Sequence, residues 1–339
     1  EDKIDFAFKI LPEILFKSKF DDKKRIKEVL LMLKSRMASS MISAGHSTAV
    51  ARAESYFSAS SKYIDEVNGI SFYDVVCDYA EHFDEKFNEL VGKLNEVMEI
   101  LFHKDNLMVD YTGSKDTFES LFEKIEKFKK TLSDEPSAHD KWIFKPENKN
   151  EGFKTASQVQ YVAKSANFKK NGLPYTGALK VLQVMMGYDY LWMNIRVKGG
   201  AYGCMSAFTR TGDSYMVSYR DPHLKETVDV FNGAADYLRT FDASKRDMTK
   251  YVIGAISNMD TPLNPRAKGL RSLSAYIGNY SFEDVQKERD EVLSCNVDAI
   301  RSLAPYAAVI RDSEIVVAVG SEEKIRSSEN LFKITRTLA

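Results

Sequence analysis

One pattern of helices and a strand occurs twice along this chain. The matching segments are residues 71–75 with 281–285 and residues 106–114 with 313–321. The spacing within the two copies agrees, because 41 residues separate Phe72 from Gly113 and 38 separate Phe282 from Gly320. Each copy has the pattern helix, turn, helix, then a short strand, then Gly-Ser and a final helix. The repeat therefore predicts two homologous α+β units, each an α/β sandwich.

The second copy is preceded by elements that the first copy lacks. Upstream, residues 19–25 match 240–246, and each follows an amphipathic helical segment (3–18 and 223–239). Before this point the second copy has a strand pattern at 158–167, a helix at 177–195 and a hairpin at 203–210 and 214–220. We therefore expect a truncated first unit without most of its sheet, in a chain that begins inside a domain of a longer protein. Its helices, residues 3–130, would then expose an apolar face. Chance similarity of the two copies is the alternative.

A boundary between the two units is predicted near the middle of the chain. Residues 141–152 are rich in Lys, Asn and Glu and contain one Pro, which is typical of a surface linker. We therefore expect a mainly helical, N-terminally truncated unit (1–140), a linker (141–154) and a complete α+β unit (155–339).

The composition argues against several classes of partner. With 48 basic and 49 acidic residues the net charge is −1, so the charge predicts no binding to nucleic acid or to a membrane surface. No apolar run approaches the roughly 18 residues of a membrane span. Cys77, Cys204 and Cys295 lie far apart without a CxxC pair, which disfavours a disulfide framework or a zinc knuckle.

Motifs for a complete catalytic centre are also missing from the sequence. None of the five histidines stands in HxxxH, HxxEH or HExxH, so we expect no metal site in this chain alone. There is no GxSxG motif, and residues 199–203 lack the Lys-Ser/Thr of a phosphate-binding loop. Tyr188, Tyr190 and Trp192 fall on the predicted helix 177–195, where we expect them to pack in the core.

Two hydrogen-bond donors remain, in residues 196–203 (Arg-Val-Lys-Gly-Gly-Ala-Tyr-Gly). In one interpretation Arg196 ends a helix, where a cation suits the dipole, the glycine pair is the C-cap and Tyr202 opens a strand. In the other, the glycine pair forms a sharp turn that delivers Arg196 and Tyr202 as donors to a polarised carbonyl oxygen. The residues by themselves leave both interpretations open.

The segment from 174–177 through 196–203 to 219–222 resembles the C-terminal half of presequence-protease-type metallopeptidases. These form a branch of the pitrilysin/insulinase superfamily of zinc peptidases, and residues 52–57 and 69–73 fit the same branch. The resemblance implies four homologous α+β domains in two hinged halves, of which this chain would hold the third, truncated, and the fourth. The N-terminal half would carry the zinc motif HxxEH and a distal Glu.

The resemblance also implies a role for Arg196 and Tyr202. They would donate hydrogen bonds to the substrate or to the tetrahedral intermediate when the two halves close around an unstructured peptide. The loop residues that would form the turn, or leave room for the peptide, are Gly199, Gly200, Ala201 and Gly203.

The resemblance further implies where the metal and the partners lie. Zn²⁺ would be bound by the missing N-terminal half and not by this chain, which alone should not hydrolyse peptides. The expected partners are that half of the same polypeptide and unstructured peptide substrates, with no nucleic acid and no membrane. We expect a soluble protein, in the cytoplasm of a bacterium or in the mitochondrial or plastid matrix of a eukaryote. The alternative is a non-catalytic peptide-binding or scaffold subunit of the same superfamily.

Overall fold

The computed structural model describes residues 3–135 and 141–338, which form two compact units. The first unit draws on the described parts of residues 1–34, 76–143 and 262–281, and the second on residues 35–75, 144–261 and 282–338. The predicted division into 1–140, 141–154 and 155–339 concerns homologous domains and stays a prediction.

The first unit is helical. The amphipathic helix expected at 3–18 is present as α1 (Ile4–Lys17), which has no buried residue and leaves Phe6 and Ile14 63% and 56% exposed. An exposed apolar face therefore occurs where the repeat predicted it. The other helices that contribute to this unit are α2 (Lys23–Ser43), α5 (Ile70–Glu81), α6 (Phe83–Leu101), α7 (Lys115–Lys129) and α11 (Pro265–Ile277), of which α2 and α5 also contribute to the second unit.

The second unit contains a six-stranded mixed sheet with the order β3-β4-β2-β5-β1-β6. Its strands are β1 (Glu151–Thr155), β2 (Tyr161–Asn167), β3 (Gly203–Phe208), β4 (Asp213–Tyr219), β5 (Val316–Ser321) and β6 (Ile334–Thr337). β1 pairs in parallel with β5 and β6, whereas the other pairs are antiparallel. The strand predicted at 158–167 and the hairpin at 203–220 are confirmed as β2 and β3–β4. One sheet combined with helices confirms the α+β class.

Helices cover both faces of this sheet. Alternate strand residues point to opposite faces, and on one face Val162 and Met216 join the large apolar core. On the other face α3 (Gly45–Ser55) contacts β2, β4 and β5, with Ala49 and Ala53 fully buried. The remaining helices of this unit are α4 (Ala59–Asn68), α8 (Ala178–Tyr188), α9 (Lys225–Arg239), α10 (Lys245–Met259), α12 (Phe282–Leu293), α13 (Val297–Ser302), α14 (Ala304–Asp312) and α15 (Glu322–Ser327).

The strand predicted at residues 106–114 is not formed. Most of this segment has no regular structure, between a 3₁₀ turn (Lys104–Asn106) and α7. A strand is stable only when a neighbour satisfies its backbone hydrogen bonds, and the described part of the first unit contains no sheet to pair with it. Its counterpart in the repeat, β5, has two partner strands and is buried along its whole length.

The predicted helix 177–195 is interrupted. α8 ends at Tyr188, and after Asp189 (φ −105°, ψ −83°) the chain enters a π-helix, Trp192–Lys198. The Tyr251 hydroxyl donates a hydrogen bond to the Asp189 carboxylate at the break. The prediction that Tyr188 packs in the core is therefore wrong, because this side chain is 70% exposed at the helix end.

β1 begins inside the predicted linker. Residues 141–150 have no regular structure, but Glu151 starts a strand that lies between β5 and β6. The sequence did not predict this strand because Glu151 and Lys154 make the segment resemble a charged surface linker. Glu151 is buried because the Arg52 guanidinium, on α3, pairs with its carboxylate at 2.6 Å.

A half-buried carboxylate on α3, that of Glu54, makes stability depend on pH. Burial raises the pKa of Glu54 to about 7, and the nearby charge of Asp213 on β4 adds to the shift. Asp213 stays in place because Ser58 Oγ and Asn167 Nδ2 donate to it at 2.9 and 2.6 Å. The folded state therefore holds a proton on Glu54 that the unfolded chain releases near pH 4.5.

We expect the free energy of unfolding to fall as the pH rises from 4.5 to 7, by on the order of 3 kcal/mol from Glu54. The Glu54→Gln variant should lose this part of the slope and be more stable than the wild type at pH 8. Urea unfolding at several pH values measures both effects. Glu283→Gln, at an exposed position on α12, is the control and should keep the wild-type slope; an unchanged slope in Glu54→Gln contradicts the assignment.

Candidate functional site

The residues 196–203 connect the π-helix to β3 at the edge of the sheet. The helix is closed by hydrogen bonds from Gly200 N to Arg196 O at 3.0 Å and from Ala201 N to Ile195 O at 3.1 Å. Tyr202 N then donates to the carbonyl oxygens of Tyr219 and Arg220, at 3.1 and 3.2 Å. Backbone hydrogen bonds thus hold the backbone of Tyr202 at the point where the helix gives way to the hairpin.

The three glycines of this segment have different requirements. Gly200 has φ +77°, a left-handed conformation that residues with a Cβ rarely adopt. A Cβ on Gly199 would lie 2.6 Å from the Ile195 carbonyl oxygen, whereas one on Gly203 would meet nothing closer than 3.8 Å. Ala201 is 4% exposed and packs in the apolar core.

These differences predict unequal effects on stability for two alanine substitutions. Gly200→Ala should destabilise the protein by about 1–2 kcal/mol, because an L-residue resists the left-handed region. Gly203→Ala is the matched control and should stay within about 0.5 kcal/mol of the wild type. Urea unfolding compares them, and equal effects would show that the turn is not held in the left-handed conformation.

Arg196 and Tyr202 are brought together. The Arg196 guanidinium carbon lies 4.1 Å from the centre of the Trp192 ring and 5.5 Å from that of Tyr202. Trp192 and Arg196 are four residues apart, so they share one face of the helix. Tyr202 is 65% exposed. Neither side chain forms an ion pair or a side-chain hydrogen bond within residues 3–135 and 141–338, so both donors are available to a ligand.

The aromatic contacts continue past Tyr202. Its ring centre lies 5.8 Å from that of Tyr219, and Tyr219 lies 5.6 Å from Tyr161 and 4.9 Å from His46. The Arg220 guanidinium carbon lies 5.5 Å from the centre of the Tyr219 ring. We call this set the aromatic strip; its members are His46, Tyr161, Trp192, Arg196, Tyr202, Tyr219 and Arg220.

His46, at the start of α3, is the part of the strip that is most remote in sequence. Its Nδ1 is buried and has no hydrogen-bond partner in the described chain, and burial lowers the pKa of its imidazole. The sequence indicated only that His46 belongs to no metal motif. Gly45 is the sequence feature that could have indicated the location of His46. A Cβ at Gly45 would overlap the Tyr161 ring, so glycine lets the start of α3 approach the strip.

Arg220 has an unusual backbone. Its φ of +48° makes it one of two non-glycine residues with positive φ in the described chain, and the other, Asn279, belongs to a type that tolerates this region. The strain, about 1–2 kcal/mol, is maintained from both sides. Tyr219 ends β4, and the backbone of Asp221 exchanges two hydrogen bonds with Gln160 at 2.7 and 2.9 Å. The buried Asp221 carboxylate also accepts from His223 N and Thr227 Oγ1.

The described residues do not form a zinc site. Among residues 3–135 and 141–338 no three His, Cys, Asp or Glu side chains lie close enough to hold a metal ion. Burial raises the pKa of the Cys204 and Cys295 thiols to about 11, so they are poor nucleophiles at neutral pH. No helix in these ranges is long and apolar enough to cross a bilayer.

Two protein families match this chain. The family described as the PreP C-terminal domain matches residues 150–322, and a family described as associated with subfamily C of the M16 peptidases matches residues 1–78. Protein HypA of Clostridium perfringens is 34% identical over 330 residues, which cover 97% of this chain and 34% of that protein. Presequence protease 1 of Arabidopsis thaliana, a chloroplastic and mitochondrial protein, is 28% identical over 342 residues, which cover 99% and 32%.

A solved structure supports the same fold. Crystalline pitrilysin aligns with a TM-score of 0.59 at 11% identity, over 93% of this chain and 33% of that one. The chain spans about a third of the length of the curated relatives it matches. Because the first family covers more than half of the described chain, the resemblance seen in residues 174–222 is confirmed. This chain belongs to the presequence-protease type of the M16 peptidase family and corresponds to its C-terminal half.

Proposed function

We propose that this chain is the substrate-holding, C-terminal half of a zinc-dependent metalloendopeptidase that degrades unstructured oligopeptides. The observation that carries the proposal is the pair of donors formed by the half-buried Arg196 and the exposed Tyr202, which lie side by side on the aromatic strip without hydrogen-bond or ion-pair partners in the described chain. In this proposal the two side chains donate hydrogen bonds to a carbonyl oxygen of the bound peptide and to the oxyanion that forms from it.

The surroundings of Arg196 suit this role. The guanidinium stacks on Trp192 at 4.1 Å, which limits its rotamers before a ligand arrives. A planar guanidinium presents several N–H donors at fixed angles, and the adjacent Tyr202 adds an O–H donor. Donors that are already oriented stabilise a developing oxyanion without further rearrangement.

The metal in this proposal comes from outside the chain. The described residues do not fit zinc, and the relatives are about three times as long as this sequence. The partner would be the zinc-binding N-terminal half of the same polypeptide, and this chain alone would not cleave peptides. In this proposal Tyr202 is held in position by the loop residues Gly199, Gly200, Ala201 and Gly203.

The test is the turnover of Tyr202 and Arg196 variants in the full-length protein, with zinc content as the second measurement. The sequence that precedes Glu1 provides an independent check, since an HxxEH motif there supports the peptidase. A full-length protein that binds peptides without cleaving them would instead support a non-catalytic peptide-binding or scaffold subunit.

A further inference from the structure

The aromatic strip contains a second cation, Arg220, which the proposed function does not use. Its guanidinium carbon lies 5.5 Å from the centre of the Tyr219 ring, and that ring also contacts Tyr161 and His46. Nearby tyrosines raise the pKa of this guanidinium, Tyr161 most and then Tyr219. Arg220 forms no ion pair in the part of the chain that the structure describes.

The backbone of Arg220 gives an independent reason to look for a function. Glycine or asparagine would occupy a φ of +48° with less strain than arginine. Strained residues of this kind persist where the surrounding structure fixes them, and they are frequent at ligand sites. Here β4 and the buried Asp221 fix the backbone on both sides, so the strain holds the exposed Arg220 side chain beside the strip.

We infer that Arg220 forms a second subsite that binds a carboxylate of the peptide held by Arg196 and Tyr202. This inference rests on the proposed function and adds a specificity to it. A guanidinium matches a carboxylate, which can accept two parallel N–H bonds from it. The carboxylate is either the C-terminus of the peptide or an acidic side chain.

The spacing along the strip agrees with one extended peptide. From Arg196 to Tyr202, from Tyr202 to Tyr219 and from Tyr219 to Arg220 the distances are 5.5, 5.8 and 5.5 Å. Because an extended chain advances about 3.4 Å per residue, a few residues reach from the first guanidinium to the second. The exposed Tyr202 ring and the half-buried Tyr219 ring would pack against the peptide between them.

The experiment is an equilibrium titration of a short, flexible, N-terminally fluorescein-labelled peptide, followed by anisotropy. Three peptides are compared: one with a free C-terminal carboxylate, one with a C-terminal amide, and the amide with an internal Asp. The Arg220→Asn variant keeps a residue that tolerates the backbone and removes the guanidinium. It should bind the carboxylate peptides about tenfold more weakly than the wild type and the plain amide equally well.

Two further variants test whether weaker binding comes from the loss of the guanidinium, from a change in backbone strain or from the loss of one positive charge. Arg220→Gly removes the strain as well as the cation and should behave like Arg220→Asn. Arg246→Gln, an exposed cation on α10, is the control for the loss of one charge and should bind all three peptides like the wild type. A preference for the terminal carboxylate over the internal Asp identifies the C-terminus as the ligand, and the reverse identifies an acidic side chain.

The outcomes distinguish this inference from the proposed function. If Arg220→Asn weakens binding of none of the peptides while Tyr202→Phe and Arg196→Gln lower the kcat of the full-length protein, the second subsite is wrong and the donor pair stands. Equal weakening of amide and carboxylate peptides by Arg220→Asn also overturns the subsite. Arg220 would then affect binding indirectly, by positioning Tyr202, and not by contacting a carboxylate. A wild-type chain that binds none of the peptides overturns both.

Discussion

Replacing Tyr202 by phenylalanine is expected to lower the kcat of peptide hydrolysis by the full-length protein about 10²–10³-fold. The substitution removes one hydroxyl, and the exposed ring keeps its contacts with Tyr219 and Arg196. If the hydroxyl binds the oxyanion, KM should change much less than kcat, since the interaction is made mainly in the transition state. Arg196→Gln should lower kcat to a similar extent.

The measurements are steady-state kinetics and the zinc content of the purified protein. Tyr188→Phe is a close control, because Tyr188 is also an exposed tyrosine of the second unit, 70% exposed at the end of α8, and should leave kcat and KM unchanged. Zinc content should be equal in all variants. Wild-type turnover in Tyr202→Phe would contradict the proposed role, and loss of zinc would point to a structural defect.

Local patterns in the sequence predicted the hairpin and β2 because those strands combine alternating side chains with a glycine turn. Gly212, at φ +96°, lies between β3 and β4, as expected. The predictions failed where a local pattern depends on distant partners. Residues 106–114 have a strand composition but no strand to pair with, and β1 contains Glu151, which is buried only because its partner Arg52 comes from a helix 99 positions earlier.

The sequence singled out Arg196 and Tyr202 because they lie within one short segment beside two glycines and because that segment resembles the family; their role as donors stays a prediction. Their support was not found, since it depends on three-dimensional neighbours. Trp192 was assigned to an ordinary core helix, whereas in the π-helix it lies under Arg196. His46 and Tyr161 contribute ring contacts to the same strip from α3 and β2, far away in sequence. A periodic pattern of apolar residues predicts the buried face of one helix or strand. It does not predict which helices and strands pack together.

The buried network around Arg52 is expected to be the largest electrostatic contribution to stability in the second unit. Arg52 Nε donates to Glu151 at 2.6 Å, and Nη1 donates to Asp65 at 2.7 Å and to Ser71 Oγ at 3.0 Å. The Tyr56 hydroxyl also donates to Glu151. The side chains of Arg52, Asp65 and Glu151 are 11%, 1% and 5% exposed, so the two carboxylates share Arg52 away from water, and in the described chain Asp65 has only one further cation, Lys62 at 3.9 Å.

Arg52→Met should therefore destabilise the protein by about 3–5 kcal/mol, because it leaves Glu151 buried without its arginine partner and Asp65 with only the more distant Lys62. Urea unfolding at pH 7 measures the loss. Arg336 makes a similar bidentate pair with Asp74, at 2.8 Å for both contacts, but these side chains are 34% and 47% exposed. Arg336→Met is thus the matched control, and solvent around its pair should limit its effect to about 1 kcal/mol or less.

A second pair of variants tests whether the effect comes from uncompensated charge or from lost packing. Adding Glu151→Gln to Arg52→Met removes one of the two stranded carboxylates and should recover part of the lost stability, whereas Glu151→Gln alone should destabilise the wild type. If the double variant is less stable than Arg52→Met, the network stabilises through packing of the arginine stem. Equal effects of Arg52→Met and Arg336→Met would show that water reaches the network between α3 and β1.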